Sequence, residues 1–151
     1  MFKKDFEFSS ENPLSSKDRK NLRKQLGTAF DDDSVGKLFL EFDTIFLKKV
    51  EKSKMLLYCS ESDPLFVDAS SKGDFFPTIY ALQMCPHLIA GYAWLHAGAE
   101  KFALKGSPID FKGVQKVEVL REFKADDVVG VKDTQGNLIA VGAISKKSSE
   151  I

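Results

Sequence analysis

Short apolar runs, each bounded by turn-forming residues, are the feature of this 151-residue sequence that most limits its possible folds. None of them approaches the ~20 apolar residues that a membrane-spanning helix needs. Short runs that are rich in β-branched and aromatic side chains predict β-strands. The predicted strands cover residues 2–8, 45–47, 55–59, 64–68, 92–95, 109–110, 117–120, 128–132 and 138–144.

A helix is predicted over Ser16–Ala29. Ser15 and Asp18 match a capping box, in which the hydroxyl and the acid satisfy free backbone amides at a helix start. Apolar residues then recur at helical spacing, which marks the buried side of the helix. That side consists of Leu22, Leu26, Ala29 and Phe30. The remaining surface is basic and carries Lys17, Arg19, Lys20, Arg23 and Lys24.

Other segments have turn or helix-start composition. Ser9–Pro13 predicts a turn. Asp31–Asp33 either caps a second helix that continues through Leu40 or begins a loop. Pro77 suits the first position of a helix, which predicts a helix that starts there and ends before Pro86.

A short helix is also predicted over Ala97–Lys105, and Gly106 fits its C-terminal cap. The apolar side of this helix is expected to consist of Ala99, Phe102 and Ala103. Asp133–Asn137 has hairpin composition and lies between the last two predicted strands.

Charge is balanced overall but unevenly distributed. The chain has 22 basic and 22 acidic side chains. Residues 1–30 carry seven Lys/Arg against four Asp/Glu, and residues 76–124 carry six against four. Residues 31–75 are acidic, with six against ten. This distribution allows RNA contact through local basic patches, and it excludes a positive electrostatic field over the whole protein.

The elements together predict an α+β fold of two small domains. Residues 1–90 are expected to form a small mixed α/β domain and residues 91–151 a second domain, with the boundary near 88–91. Two cysteines, Cys59 and Cys85, are too few for a disulfide scaffold. The N-terminus lacks the apolar run of a signal peptide. We therefore expect a cytoplasmic protein without a membrane partner.

Several stretches of the first domain resemble a known family. The start Met1–Lys4, the helix over 16–30, and Gly73–Leu82 followed by Cys85-Pro86 look like one domain type. It is the N-terminal domain shared by ligatin and the malignant T-cell-amplified sequence proteins. The aromatic-Pro-Thr element within Gly73–Leu82 is the most specific part of this resemblance.

The second domain resembles PUA, the RNA-binding module named after pseudouridine synthase and archaeosine transglycosylase. His96–Ile109 looks like the entry of that module, and Ala140–Ile144 resembles one of its later strands. The resemblance implies a PUA-like β-barrel. The family has Pro-Gly where this chain has Lys112-Gly113, and it continues past the position of Ile151 into a closing strand. The expected barrel could therefore be incomplete at its C-terminus.

The resemblance implies a non-catalytic translation factor that needs no cofactor. Ligatin-like factors bind the small ribosomal subunit and tRNA during initiation, reinitiation or recycling, and other translation factors are further partners. The N-terminal domain is implied to contact ribosomal RNA through Lys17, Arg19, Lys20, Arg23 and Lys24. The PUA module is implied to contact tRNA through Lys101, Lys105, Gly106, Ser107 and Lys112.

Ordinary structural explanations exist for the same residues. A solvated helix face explains the basic helix, and a helix cap with a turn explains the glycine loop. Phe75 and Phe76 could stack on bases, but core packing is favoured because the apolar run continues to Ile79. Two other functions stay open: a PUA-bearing accessory of RNA modification, and a protein-interaction module.

Catalytic and metal chemistry is not indicated by the sequence. Cys59, Cys85, His87 and His96 could supply zinc ligands, but no Cys-x-x-Cys pair is present. No phosphate-binding Gly-Lys-Ser/Thr motif and no nucleophile elbow occur. We therefore expect no metal and no enzymatic activity.

Overall fold

The computed structural model describes residues 8–145. They fall into two units, which are divided along the chain between Leu88 and Ile89. Most of the strand predicted at residues 2–8 lies outside the described residues; Phe8 alone is described, and it begins the first strand. Within residues 8–145, no helix has the length and apolar character needed to cross a membrane.

The first unit contains a five-stranded sheet in which every pairing is antiparallel, in the order β1-β2-β3-β4-β5. Its strands are β1 (Phe8–Pro13), β2 (Phe46–Val50), β3 (Leu56–Cys59), β4 (Pro64–Asp68) and β5 (Phe75–Pro77). Leu57 and Cys59 of β3 pack with Val50 of β2 in the core. This alternation places apolar residues on one face of the sheet, as the sequence pattern of β3 predicts.

The turn predicted at Ser9–Pro13 is wrong, because this segment is the edge strand β1. Its backbone pairs with β2 from Ser10 opposite Lys49 to Pro13 opposite Phe46. Almost all of its side chains are exposed, so the segment shows no apolar alternation. An edge strand that is paired on one side tolerates Ser, Asn and Pro, which are also residues of turns.

Two consecutive helices follow β1. The predicted helix α1 (Ser16–Ala29) has the expected bounds, and the Ser15 hydroxyl accepts a hydrogen bond from Asp18 N at 3.1 Å. Leu22 and Leu26 are buried as predicted, but Ala29 is exposed. The chain becomes extended at Phe30, whose ring stacks 6.0 Å from that of Phe66. Of the last two residues predicted on the buried side, Phe30 packs on the core residue Phe66 and Ala29 does not.

The acidic segment after α1 begins a helix, which resolves the alternative left by the sequence. Helix α2 (Asp32–Leu40) is capped by Asp31, whose carboxylate accepts hydrogen bonds from Ser34 N at 3.2 Å and Ser34 Oγ at 2.8 Å. Val35 and Leu38 are fully buried. The cap satisfies a backbone donor that a helix start otherwise leaves free.

The third helix begins at Ile79, capped by Thr78, and not at Pro77 as predicted. Pro77 ends the edge strand β5, a position that tolerates the missing N–H of proline. Helix α3 (Ile79–Met84) ends before Pro86, as predicted. The buried Thr78 hydroxyl accepts a hydrogen bond from Ala81 N at 3.3 Å and donates one to Pro64 O at 2.7 Å. One side chain thus caps α3 and joins it to β4.

The second unit contains a four-stranded sheet in the order β7-β6-β8-β9. Its strands are β6 (Gly91–Leu95), β7 (Val114–Val119), β8 (Val128–Lys132) and β9 (Leu138–Ala143). β6 runs parallel to β8 and antiparallel to β7. In the described part of the chain, β7 and β9 lie at the edges of this sheet.

Two predictions for the second unit are wrong in detail. The predicted helix is a 3-10 turn (Ala97–Ala99) followed by α4 (Glu100–Leu104), and Phe102 is 46% exposed. Only the small Ala99 of the 3-10 turn and Ala103 of α4 pack with the buried Leu95 of the sheet. No strand forms at 109–110, because Gly113 N donates to Asp110 O at 2.8 Å and closes a 3-10 turn there.

The predicted hairpin joins β8 and β9. Asp133 holds its loop by accepting hydrogen bonds from Asn137 N and Gln135 N, both at 2.9 Å. These bonds keep the pKa of the Asp133 carboxyl below its usual value. Gly136 has a φ of 85°, a conformation that glycine adopts without strain.

Replacing Thr78 with valine should lower the free energy of unfolding by about 1–2 kcal/mol, because the shape stays similar while the cap and the bond to Pro64 O disappear. Thr78→Ser keeps the hydroxyl and should cost less. Urea denaturation of both variants measures the difference. Equal stability of the valine and serine variants would contradict this role of the hydroxyl.

Candidate nucleic-acid interface

The basic side chains of α1 surround an open depression of about 600 Å³. Apolar residues occupy only the inner side of the helix, at Leu22 and Leu26, so the charged residues project outwards. The depression is lined by Lys17, Lys20, Asn21, Arg23, Lys24 and Asp32. Four of the five cations predicted on this helix are therefore gathered around one surface.

Arg19 is the predicted cation that the depression does not include. Its Nη2 donates a hydrogen bond to Phe39 O at 2.6 Å and another to Phe42 O, and its Nη1 donates to Asp43 O at 2.8 Å. The guanidinium carbon also lies 5.7 Å from the centre of the Phe39 ring. The last carbonyls of a helix lack intrahelical donors and favour a nearby cation. Arg19 thus caps the end of α2, and we leave it out of the proposed RNA surface.

Arg23 lies across α2 at the margin of the depression. A β-carbon built at Gly36 would come within 2.7 Å of Arg23 Nη2, so the glycine leaves room for the guanidinium. Asp32 supplies the one carboxylate of the lining. The surface is therefore mainly cationic, with Lys17, Lys20 and Lys24 exposed along one side of α1.

The second unit has a shallow hollow of about 540 Å³ beside α4. Its apolar floor includes the exposed ring of Phe102 together with Pro108 and Ile109. Lys112, a predicted RNA contact, lines this hollow, as does His96. An apolar floor next to a cation can hold a base and its phosphate together.

The other predicted residues of the glycine loop lie at the end of α4 and do not line the hollow. Gly106 has a φ of 75°, and a β-carbon there would meet nothing within 4 Å. Gly106 and Ser107 line a separate apolar cavity of about 440 Å³. Lys105 is exposed, and the Lys101 ammonium lies 5.3 Å from the centre of the Phe102 ring.

The two thiols are poor candidates for chemistry. Burial raises the pKa of Cys59 and of Cys85, so both stay protonated at neutral pH. Within residues 8–145, no three His, Cys, Asp or Glu side chains are grouped closely enough to hold a metal ion.

The family of the chain follows from its sequence. The model of the Pre-PUA-like domain matches residues 2–86. The chain belongs to this family. The model of the PUA domain matches residues 91–151. PUA domains are RNA-binding modules, so the match supports RNA binding by the second domain. No curated protein matches the sequence significantly.

Solved structures of archaeal proteins share the fold of the Pre-PUA-like and PUA domains. A hypothetical protein of Pyrococcus horikoshii has a TM-score of 0.72 at 20% identity, over 93% of this chain and 85% of that one. A PUA domain of Aeropyrum pernix, solved with tartrate, has a TM-score of 0.73 at 20% identity, over 93% and 75%. A conserved PUA domain protein of Thermoplasma acidophilum has a TM-score of 0.69 at 22% identity, over 93% and 83%.

Sequence reasoning missed three side chains around these surfaces. Asn21 lies among the lysines of α1, and its helical spacing from Lys17 and Lys24 is the signal that could have placed it there. Phe102 was expected in the core but is exposed, because the short helix α4 does not bury a large ring. His96 was weighed as a zinc ligand and lies instead beside Lys112 in the PUA hollow.

Arg19→Ala should lower the free energy of unfolding by about 1–3 kcal/mol, because the carbonyls at the end of α2 lose a charged donor. Lys20→Ala, one position along the same helix, should change it by less than about 0.5 kcal/mol. Chemical denaturation of the two variants provides the comparison. If Arg19→Ala is as stable as the unmodified chain, Arg19 does not have this structural role.

Proposed function

We propose that this chain is a non-catalytic RNA-binding segment of the translation machinery. The Pre-PUA-like domain would contact RNA of the small ribosomal subunit, and the PUA domain would contact tRNA, in initiation, reinitiation or recycling. The PUA match supports RNA binding, and the resemblance to ligatin-like factors supports the choice of partners. The absence of nucleotide-binding and nucleophile motifs from the sequence supports a non-catalytic role.

The observation that carries the proposal is the unpaired state of the α1 lysines. Among the described residues, no carboxylate forms an ion pair with Lys17, Lys20 or Lys24, and the ion pairs Lys48–Glu11 and Lys132–Glu118 lie away from the depression on α1. A folded protein that concentrates cations which form no ion pairs can neutralise phosphates and release their counterions. Such contacts position an RNA and read its backbone, without selecting a base sequence.

The PUA domain would meet tRNA through the end of α4 and the loop that follows. Lys101, Lys105 and Lys112 would supply charge, and the missing side chain of Gly106 would let a phosphate approach the loop closely. The apolar hollow beside Lys112 has room for an unpaired base. This arrangement suits an RNA end better than a regular duplex, whose bases are stacked inside.

A protein-interaction module is the second candidate. Leu40, at the end of α2, is 86% exposed, and Tyr80 and Met84 are exposed at i and i+4 on α3. A contiguous exposed apolar patch is typical of a surface that a partner protein covers, and Tyr80 and Met84 are neighbours one helical turn apart. Binding of RNA and of another translation factor can also occur on the same chain.

Charge reversal at Lys17, Lys20 and Lys24 to glutamate should weaken binding to small ribosomal subunits by more than about tenfold. The slope of log affinity against log salt should fall by roughly one for each phosphate that the variant no longer binds. Filter binding over a salt series measures both quantities. The matched control reverses Lys52, Lys54 and Lys72, which are exposed elsewhere on the same domain. If both triple variants bind alike, α1 is not the ribosome-binding surface.

The double variant Lys105→Ala/Lys112→Ala should weaken binding of tRNA by roughly three- to thirtyfold, because two cations no longer neutralise phosphates. Its affinity for small subunits alone should change less. Lys124→Ala, an exposed cation of the same domain, is the control. An unchanged affinity for tRNA in the double variant would contradict the tRNA site.

A further inference from the structure

The face of the PUA sheet that bears Trp94 carries a cluster that neither predicted site includes. Trp94 is the only tryptophan of the sequence. It lies half-buried on β6, on the face opposite the buried Ala93 and Leu95. The register places Lys116 of β7 beside it on one side and Lys132 of β8 on the other. We call Trp94, Lys116, Glu118 and Lys132 the tryptophan patch.

The indole of Trp94 is held in one position from two sides. Its Nε1 donates a hydrogen bond to Glu118 Oε1 at 3.3 Å. At the opposite edge, a β-carbon built on Gly136 would come within 2.8 Å of the ring, so only the glycine backbone fits there. An aromatic ring that is already immobile loses little entropy when it binds a flat ligand.

The two lysines of the patch are held differently. Lys132 Nζ lies 4.4 Å from the ring centre of Tyr92, 5.2 Å from that of Trp94 and 3.6 Å from Glu118 Oε1. Lys116 Nζ lies 4.2 Å from the ring centre of Trp94. Within the described residues, no carboxylate forms an ion pair with Lys116, and its side chain is exposed. Lys116 is therefore the cation that can move.

The nearby carboxylates already have partners within the fold. Glu118 is shared between Trp94 Nε1 and Lys132, and Asp133 accepts hydrogen bonds from its own loop. Burial and the charge of Glu118 raise the pKa of Tyr92 to about 12, so its phenol stays neutral. The ammonium of Lys116 is thus the charge that remains for a ligand, next to an aromatic face.

We propose that the tryptophan patch binds one unpaired nucleotide of single-stranded RNA, with the base stacked on Trp94 and the phosphate held by Lys116. An exposed cation–π contact is weaker than the stacking of a base on the same ring, so the base displaces the ammonium. The displaced ammonium remains within reach of the backbone of the same nucleotide. The patch therefore exchanges one cation contact for a stacked base and a phosphate contact.

An unpaired nucleotide fits this chemistry better than an acidic peptide does. A carboxylate would be attracted by Lys116 but would gain nothing from the face of the indole, whose π-electrons repel anions. A nucleotide presents a flat apolar face and an anion together. This inference rests on the proposed RNA binding, and it adds a contact surface separate from α1 and from the loop after α4.

The experiment titrates the intact chain with a short single-stranded oligouridylate while the fluorescence of Trp94 is recorded. Because Trp94 is the only tryptophan, a stacked base should quench most of the tryptophan signal. An abasic oligonucleotide of equal length keeps the phosphates and should leave the signal nearly unchanged. Quenching by both, or by neither, overturns the proposal, as does quenching by an oligoglutamate peptide alone.

Affinity is measured separately with a labelled oligouridylate by fluorescence anisotropy. Trp94→Leu should lower the affinity roughly tenfold, the value of one stacked base, and Trp94→Phe should restore most of it. Thermal unfolding followed by circular dichroism verifies that both variants fold. Equal affinity of folded Trp94→Leu and the unmodified chain overturns the proposal.

Lys116→Ala provides a test that does not depend on the packing of Trp94. The side chain is exposed, so the variant should fold normally. The oligouridylate should still quench Trp94, while the slope of log affinity against log salt falls by roughly 0.7, the value of one contact to a single strand. An unchanged slope overturns the role of Lys116. If the tests of the tryptophan patch fail while the α1 and loop variants weaken binding to small subunits and to tRNA as predicted, the proposed function still holds.

Discussion

The basic surface of α1 depends on the hydrogen bonds that the Arg19 guanidinium donates. This guanidinium joins the start of α1 to the carbonyls at the end of α2, and Leu22 and Leu26 bury the side of α1 that follows. Because these contacts fix the orientation of α1, the side chains of Lys17, Lys20 and Lys24 are left exposed to solvent. The helix macrodipole favours this placement, because a cation lies where carbonyl groups converge. The basic surface of α1 is thus a result of how the helix is packed against its neighbour.

The PUA domain depends on a different constraint, the parallel pairing of β6 with β8. Because β6 lies between β7 and β8, residues far apart in sequence become neighbours across its face. Trp94 is flanked in this way by lysines that follow it by about twenty and forty positions. No sequence motif marks this arrangement, which explains why the composition of β6, β7 and β8 gives no hint of a site.

The sequence predicted elements best where the local signal and the tertiary environment agree. The bounds of α1 and β4 followed from a capping serine and from a short apolar run with turn residues on both sides. Prediction from the sequence failed at Ser9–Pro13, where pairing with β2 imposes a strand on residues of turn composition, and at Phe102, where α4 is too short to bury a large ring.

For the candidate site, the sequence could indicate which cations belong together on α1. It could not indicate that Arg19 has partners already, because those partners are backbone carbonyls twenty or more positions away. The RNA contacts of the remaining cations stay predictions.

The loop between β8 and β9 illustrates how a surface segment can lose its freedom to vary. Hairpin loops usually tolerate insertions, because nothing packs on them. Here the loop places Gly136 against the edge of Trp94, and Thr134 N donates to Glu100 Oε1 at 2.9 Å at the start of α4. An added residue would shift the glycine off the indole and replace it with a side chain that does not fit. Relatives that keep the tryptophan should therefore also keep the length of this loop, whereas relatives without it are released from that restriction.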